Sequence, residues 1–261
     1  EFLWQEGHTL HATAEEAIAE TEQMLEVYAD CCENYLAMPV IRGVKTEKEK
    51  FAGAENTYTV ECMMHDHKAL QSYFGDGFAK AFGIAFTDKD NTLQTPHETS
   101  WGLSTRIIGG IIMTHGDNNG LVLPPKVAPI QIVVVTIAAH KPGVLDKAAE
   151  VTAELKAAGL RVKMDDSEQS PGWKFAQYEM KGVPLRLELG PKDLENGQCV
   201  LVRRNDGEKI PVSLTELVER ANDQLQAVQD GMYAKAKQNL EEHTFPAYSL
   251  EEAKQIQQEK G

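Results

Sequence analysis

No stretch of this 261-residue chain approaches the roughly 18 consecutive apolar residues needed to cross a bilayer as a helix. The opening EFLWQEGH has neither the basic nor the apolar part of a secretory signal. A membrane partner is therefore not expected, and the cytoplasm is the expected compartment. Cysteine is scarce: Cys31, Cys32, Cys62 and Cys199, an adjacent pair and two singles with no CxxC. That argues against a disulfide framework and a cysteine-built zinc site, and favours free thiols in a reducing compartment. Positive charge is short as well, with 26 Lys and Arg against 40 Asp and Glu and a formal net charge of −14. Because the phosphate backbone is bound chiefly by Lys and Arg, indiscriminate nucleic-acid binding, DNA included, is not expected.

The chain does have the composition of an ordinary folded protein, 42% hydrophobic and 25% charged, and is long enough for two domains with separate cores. Its charge is unevenly placed. Acids gather near the start (Glu15, Glu16, Glu20, Glu22, Glu26) and the end (Glu241, Glu242, Glu251, Glu252), while Lys174, Lys181, Arg186, Lys192, Arg203 and Arg204 lie between. The middle is thus the candidate RNA surface.

Periodicity gives a coarse map. Ala14 to Leu36 reads as an amphipathic helix, with Thr13 and Glu16 at capping-box spacing and Pro39 after its end. VIRGV and Thr57 to Met64 read as strands, and His65-Asp66-His67-Lys68 as a polar turn that lacks the third and fourth ligands zinc requires, so no metal site is expected. Pro124-Pro125 marks a boundary. Beyond it, PIQIVVVTIA predicts a buried strand, Val144 to Ala158 a helix ending at Gly159, and Leu160 to Met164 a second strand, which together make a parallel crossover. Trp173 to Lys181 reads as a helix, Val183 to Leu189 as a strand, and Val200 to Arg204 with Lys209 to Val212 as a hairpin around Asn205-Asp206-Gly207. A polar amphipathic helix follows from Leu214 to about Leu240, then a short polar helix over Ser249 to Lys260.

The segment ETSWGLSTRIIGGIIMTHGDNNGLVLPP (Glu98 to Pro125) is the most informative. Arg106 stands between a Ser/Thr-rich turn and a glycine-interrupted apolar helix. A guanidinium is always charged and calls for an anionic partner, which a structural salt bridge or a bound carboxylate or phosphate would each supply. Ser104, two residues earlier, is placed either as a helix cap or as a ligand group. Trp4 and Glu6 alternate on a strand and share one face, an apolar wall beside a carboxylate, which suits either a half-buried strand with a rim salt bridge or a pocket for a small cyclic amine. His8 and His11 read as satisfied polar groups near the strand end.

These words resemble motif 3 of class II aminoacyl-tRNA synthetases. SWGLSTR, MTHGD and NGLVLPP look like the prolyl-tRNA synthetase family in particular, EFLWQEGHTLHAT like the tail of its motif 2, VIRGVKTEKEKFAGA like its next catalytic segment, and SPGWKFAQYEMKGVPLRLELGPKDLENG like its anticodon-binding domain. The resemblance implies an α/β (α+β) fold: a partial antiparallel-sheet catalytic domain over 1–126, an α/β anticodon-binding domain with a mixed sheet over 127–228, and a helical extension over 229–261. It also implies activation of proline with ATP and Mg2+, transfer to tRNA(Pro), and a homodimer. The chain would begin inside motif 2 and so be a fragment.

The site implied by the resemblance places Arg106 as the catalytic group on ATP, with Gln71 and Ser104 beside it. Trp4, Glu6, Ser100, Trp101 and Gly102 become candidates for the proline pocket. Trp173, Lys174, Glu179, Lys181, Arg186 and Lys192 become candidates for the anticodon. One departure stands out: ALQSYFGDGFAKAF passes from Gln71-Ser72 to Tyr73-Phe74-Gly75 without the Gly-Thr-Ser-His stretch of the family, and Glu98 adds a charge near the pocket. The rival expectation is a non-enzymatic tRNA-binding or amino-acid-sensing relative.

Overall fold

The structure is a computed structural model and describes residues 3–63 and 68–260. In chain order the first half runs β1 (Trp4–His11), α1 (Ala14–Asp30), a π-helical turn (Cys31–Tyr35), β2 (Val40–Val44), β3 (Asn56–Cys62), β4 (Lys68–Gly75), α2 (Gly77–Phe82), a hairpin of β5 (Phe86–Thr87) and β6 (Leu93–Gln94), β7 (His97–Ser104) and α3 (Arg106–His115). Five of these strands form one antiparallel sheet in the order β1-β7-β4-β3-β2. The turn expected at His65 to His67 lies outside the described residues.

α1 covers one face of this sheet. Its start is fixed by the capping box: the Thr13 hydroxyl accepts from the Glu16 N–H at 3.2 Å, and the Glu16 carboxylate accepts from the Thr13 N–H at 3.4 Å. Its stripe of Leu25, Tyr28 and Ala29 packs with Val40, Val60 and Ile111 into a single core. The helix does not continue regularly to Leu36. It widens over Cys31–Tyr35 into a π turn, and the carbonyls of Asn34, Tyr35 and Leu36 accept instead from the side chains of Gln229 and His115. Extra carbonyls turned out of the ladder are thus satisfied from elsewhere in the chain.

The second half runs β8 (Ile132–Thr136), α4 (Val144–Ala157), β9 (Val162–Asp165), α5 (Pro171–Met180), β10 (Leu185–Leu189), α6 (Pro191–Glu195), β11 (Gln198–Arg203), β12 (Lys209–Ser213), α7 (Leu217–Glu242) and α8 (Leu250–Lys260). The sheet order is β12-β11-β10-β8-β9, with β8 parallel to β9 and β10 and the remaining pairs antiparallel. β8 is buried on both faces, as its unbroken β-branched run requires. Ile132 and Val134 face a core shared with α4 and α7, and Val133 and Val135 face α5. α7 is continuous through residue 228, where a boundary was expected. Val228 and Met232 belong to the same core as Leu217 and Leu225, so the second sheet needs this helix well past that point. No helix among the described residues is long and apolar enough to cross a membrane.

Candidate functional site

The first sheet has one face under α1 and one that is open at β1 and β7. Register decides which side chain goes where, because paired residues share a face and neighbours alternate. Trp101 and Leu103 pack in the α1-side core, so Gln5 and Gly7, paired with Leu103 and Trp101, lie on that side too. Tyr28 of α1 donates to the Gln5 side chain at 2.5 Å. The opposite face therefore carries Trp4, Glu6, His8 and Leu10 from β1 across from Ser104, Gly102, Ser100 and Glu98 from β7.

This places four of the five residues expected at a proline pocket together and removes the fifth. Trp101 lies on the far face, its indole over Gly7, where a Cβ would stand 2.2 Å from the ring. The resemblance grouped it with its neighbours Ser100 and Gly102, whereas the pleat sends adjacent residues to opposite sides. Of the remaining four, Trp4 is 67% exposed and Gly102 gives a floor where a Cβ would meet only the Gln5 carbonyl, at 3.2 Å. Glu6 accepts from His8 at 3.0 Å, a partner that sequence reading left as a strand-end polar group.

Arg106 opens α3 immediately beyond this strand. Ser104 Oγ accepts from the Arg106 N–H at 3.3 Å, closing a turn one residue before the N-cap of α3, which is Thr105 and makes no side-chain cap bond. The Arg106 side chain is exposed, and among the described residues it has no carboxylate partner. Gln71 pairs in register with Trp101, while Leu70 and Ser72 take the positions across from Gly102 and Ser100. The Gln71 side chain, expected from the resemblance beside Ser104, lies outside the described residues. The register of β4 against β7 shifts between Tyr73 and Gly75.

In the second half the basic positions are mostly spoken for. Lys174, expected at RNA, is 2% exposed: its ammonium donates to the Asp165 carbonyl at 2.8 Å and lies 3.4 Å from the Asp165 carboxylate. Its place in α5, one residue after exposed Trp173, turns it inward onto β9. Burial pushes the Asp165 carboxyl up, but the Ser167 and Tyr178 groups and Lys174 outweigh it and hold the acid below the usual range. Arg186 pairs with Glu188 at 2.8 Å and stacks 4.0 Å above Phe175. Arg203 is held by Asp206 and Glu208, and Arg204 by Asp117. The expected basic middle is thus largely neutralised from within.

The other expected contacts divide between two ends of the sheet. Trp173, 48% exposed, stands at the N-terminal end of α5, and exposed Lys192 follows β10; both lie toward the carboxyl ends of the parallel strands, the usual ligand edge of such sheets. Glu179 and Lys181 lie at the opposite end, where Asn119 donates to the Glu179 carboxylate at 3.2 Å and Lys181 sits 5.6 Å from the Tyr178 ring. Lys163, which the sequence did not single out, lies over the same ring at 5.7 Å. All four cysteines are free thiols, and among the described residues no cluster of three metal-ligating side chains occurs.

Residues 131–224 match the family described as anticodon binding domain. Over nearly its whole length the chain is also similar to enzymes named proline–tRNA ligase. It is 61% identical to that of Lachnospira eligens over 258 residues, 97% of this chain and 54% of the relative. It is likewise 61% identical to that of Ruminiclostridium cellulolyticum over 260 residues (98% and 54%), and 56% identical to proline–tRNA ligase 2 of Bacillus cereus over 264 residues (100% and 55%). The chain spans about half the length of the curated relatives it matches.

Proposed function

Because the chain belongs to the prolyl-tRNA synthetase family, we propose that the protein activates proline with ATP and transfers it to tRNA(Pro), with residues 1–126 supplying part of the catalytic domain and the chain from 127 through α7 the anticodon-binding domain. The observation that carries this reading is the open face of the first sheet, with Trp4, Glu6, Ser100 and Gly102 on one side of the pleat and the exposed Arg106 just beyond its last strand.

In activation the proline carboxylate attacks the α-phosphorus of ATP and pyrophosphate leaves. The protein's part is to position the two reactants and to offset negative charge. The Trp4 indole provides a wall for the pyrrolidine ring, Gly102 leaves room for it, and the Glu6 carboxylate attracts its ammonium. Arg106 sets a fixed cation against the nucleotide phosphates, and the Ser104 hydroxyl holds the turn that presents it. Magnesium enters with ATP as part of the substrate. In transfer, a terminal ribose hydroxyl of tRNA attacks the adenylate carbonyl and AMP leaves. Trp173 and Lys192 at one edge of the second sheet supply stacking and charge for unpaired anticodon bases. Homodimer formation is part of the same reading.

Charging of tRNA(Pro) with labelled proline by the complete gene product tests it. Arg106→Ala is expected to lower charging about 100-fold or more, the scale of losing one transition-state charge contact; an unchanged rate would remove Arg106 from the site. A second reading has one observation in its favour: the register of β4, which places Gln71 across from Trp101, together with the missing Gly-Thr-Ser-His stretch. In that reading the protein keeps the tRNA surface and has lost amino-acid activation.

A further inference from the structure

The turn that follows α3 meets the C-terminal end of α5, and the joint is closely built. α3 stops at Gly116, where a Cβ would stand 2.5 Å from the Ile112 carbonyl oxygen. Asp117 to Gly120 then fold into a turn whose end residues exchange backbone bonds of 3.0 and 3.1 Å, while the Asp117 carboxylate accepts from the Asn119 N–H at 2.8 Å. Gly120, at φ +128°, lies against Met180, with 2.5 Å between a built Cβ and the Met180 carbonyl oxygen. Beyond it, Leu121 donates to Met180 at 3.0 Å and Leu123 to Gly182 at 3.1 Å, so the segment leaving α3 is laced to the end of α5.

Arg204, one residue past β11, closes the joint. Its two terminal nitrogens donate to the two Asp117 carboxylate oxygens at 2.7 Å each, and its Nε donates to the Glu179 carbonyl at 2.8 Å. The side chain is 5% exposed. A guanidinium here also faces the negative end of the α5 dipole. Its three bonds need the planar fork, which lysine lacks. The guanidinium holds the Asp117 carboxyl down to about 2, so the pair stays charged at any physiological pH.

Each of the two helices has 10 residues, roughly 15 Å of rigid rod. Arg106 stands at the far end of α3 and Trp173 near the far end of α5. We propose that Arg204 is a positioning residue that couples occupancy of the tRNA-binding edge to the reacting centre, by fixing the C-terminus of α5 to the turn that ends α3. Displacement of α5 on docking an anticodon is passed on rather than absorbed, because Gly120 against Met180 and Gly182 against Leu121 bring the two segments together with no space for the joint to give. The inference rests on the proposed synthetase activity.

Arg204→Lys and Asp117→Asn test it in the complete gene product. Asp117→Asn keeps an oxygen for the Asn119 N–H and so preserves the turn. Three quantities are compared with wild type: proline-dependent ATP–pyrophosphate exchange without tRNA, tRNA affinity, and charging of tRNA(Pro) with its own and with an altered anticodon. Both variants are expected to keep exchange and affinity within about twofold yet lose about tenfold in charging of the native tRNA and little with the altered one, so that anticodon discrimination collapses. Equal loss on both tRNAs, loss of exchange in step with charging, or no change at all would each show that the contact only holds the fold, and would overturn the inference. A wild-type protein with neither exchange nor charging gives a different pattern: the synthetase reading fails first and the inference falls with it.

Discussion

At the scale of single residues, two neighbours in α5 separate binding from folding. Trp173 is exposed and Lys174 is buried against Asp165, although their sequence context suggested one role for both. Trp173→Ala is expected to weaken tRNA binding by about 1–3 kcal/mol, the value of one base stacked on an aromatic ring, without moving the melting temperature. Lys174→Ala leaves a buried carboxylate unpaired and is expected to cost about 3–5 kcal/mol of stability; thermal melting and filter binding on the two variants read these effects apart. Gly7 makes a similar point on the first sheet. Alanine there drives a methyl into the Trp101 ring, and a loss of about 1–3 kcal/mol with altered tryptophan fluorescence is expected, as for other overpacked cores. None of these side-chain directions was legible beforehand. The resemblance made Trp101 and Lys174 site candidates, while the pleat and the helix face that decide their direction depend on which partners lie above and below.

Elements were far more legible. The capping box at Thr13, the parallel crossover from β8 through α4 to β9, and the hairpin around Asn205-Asp206-Gly207 all appear near the positions that periodicity and turn chemistry implied. Local signals suffice where a stretch makes its own hydrogen bonds or buries one continuous stripe. The π turn at Cys31–Tyr35 was not legible, because its carbonyls are satisfied by Gln229 and His115 from distant elements. His115 donates to the Leu36 carbonyl at 2.9 Å, and burial is the main cause of its lowered pKa. The sign follows: above about pH 6.5 the ring is neutral whether folded or not, and below it the unfolded chain takes up the proton more readily. Stability is therefore expected to fall as pH drops below that point. Melting curves between pH 7.5 and 5.5 measure this, and His115→Gln, which keeps an N–H for Leu36, flattens that part of the dependence.

At the scale of the whole molecule, two sheets of different construction are joined by side chains that reach across the chain. Arg204 grips Asp117, Gln229 donates to Asn34 and Tyr35, and Arg161 donates to the carbonyls of Pro125, Lys126 and Ala128. The pairing of an open antiparallel face with an anticodon-binding sheet was legible through whole words such as SWGLSTR and MTHGD; the joints between the two were not, since each links residues far apart in the sequence. The proposed activation chemistry turns on β4, where the register shifts between Tyr73 and Gly75, while the remaining open face keeps Trp4, Glu6, Ser100 and Gly102 together. Proline-dependent ATP–pyrophosphate exchange by the complete gene product, with alanine and cysteine as controls, addresses that point most directly. Exchange specific to proline is the predicted result; its absence in a folded protein that still binds tRNA(Pro) would contradict the account and leave a tRNA-binding relative without activation chemistry.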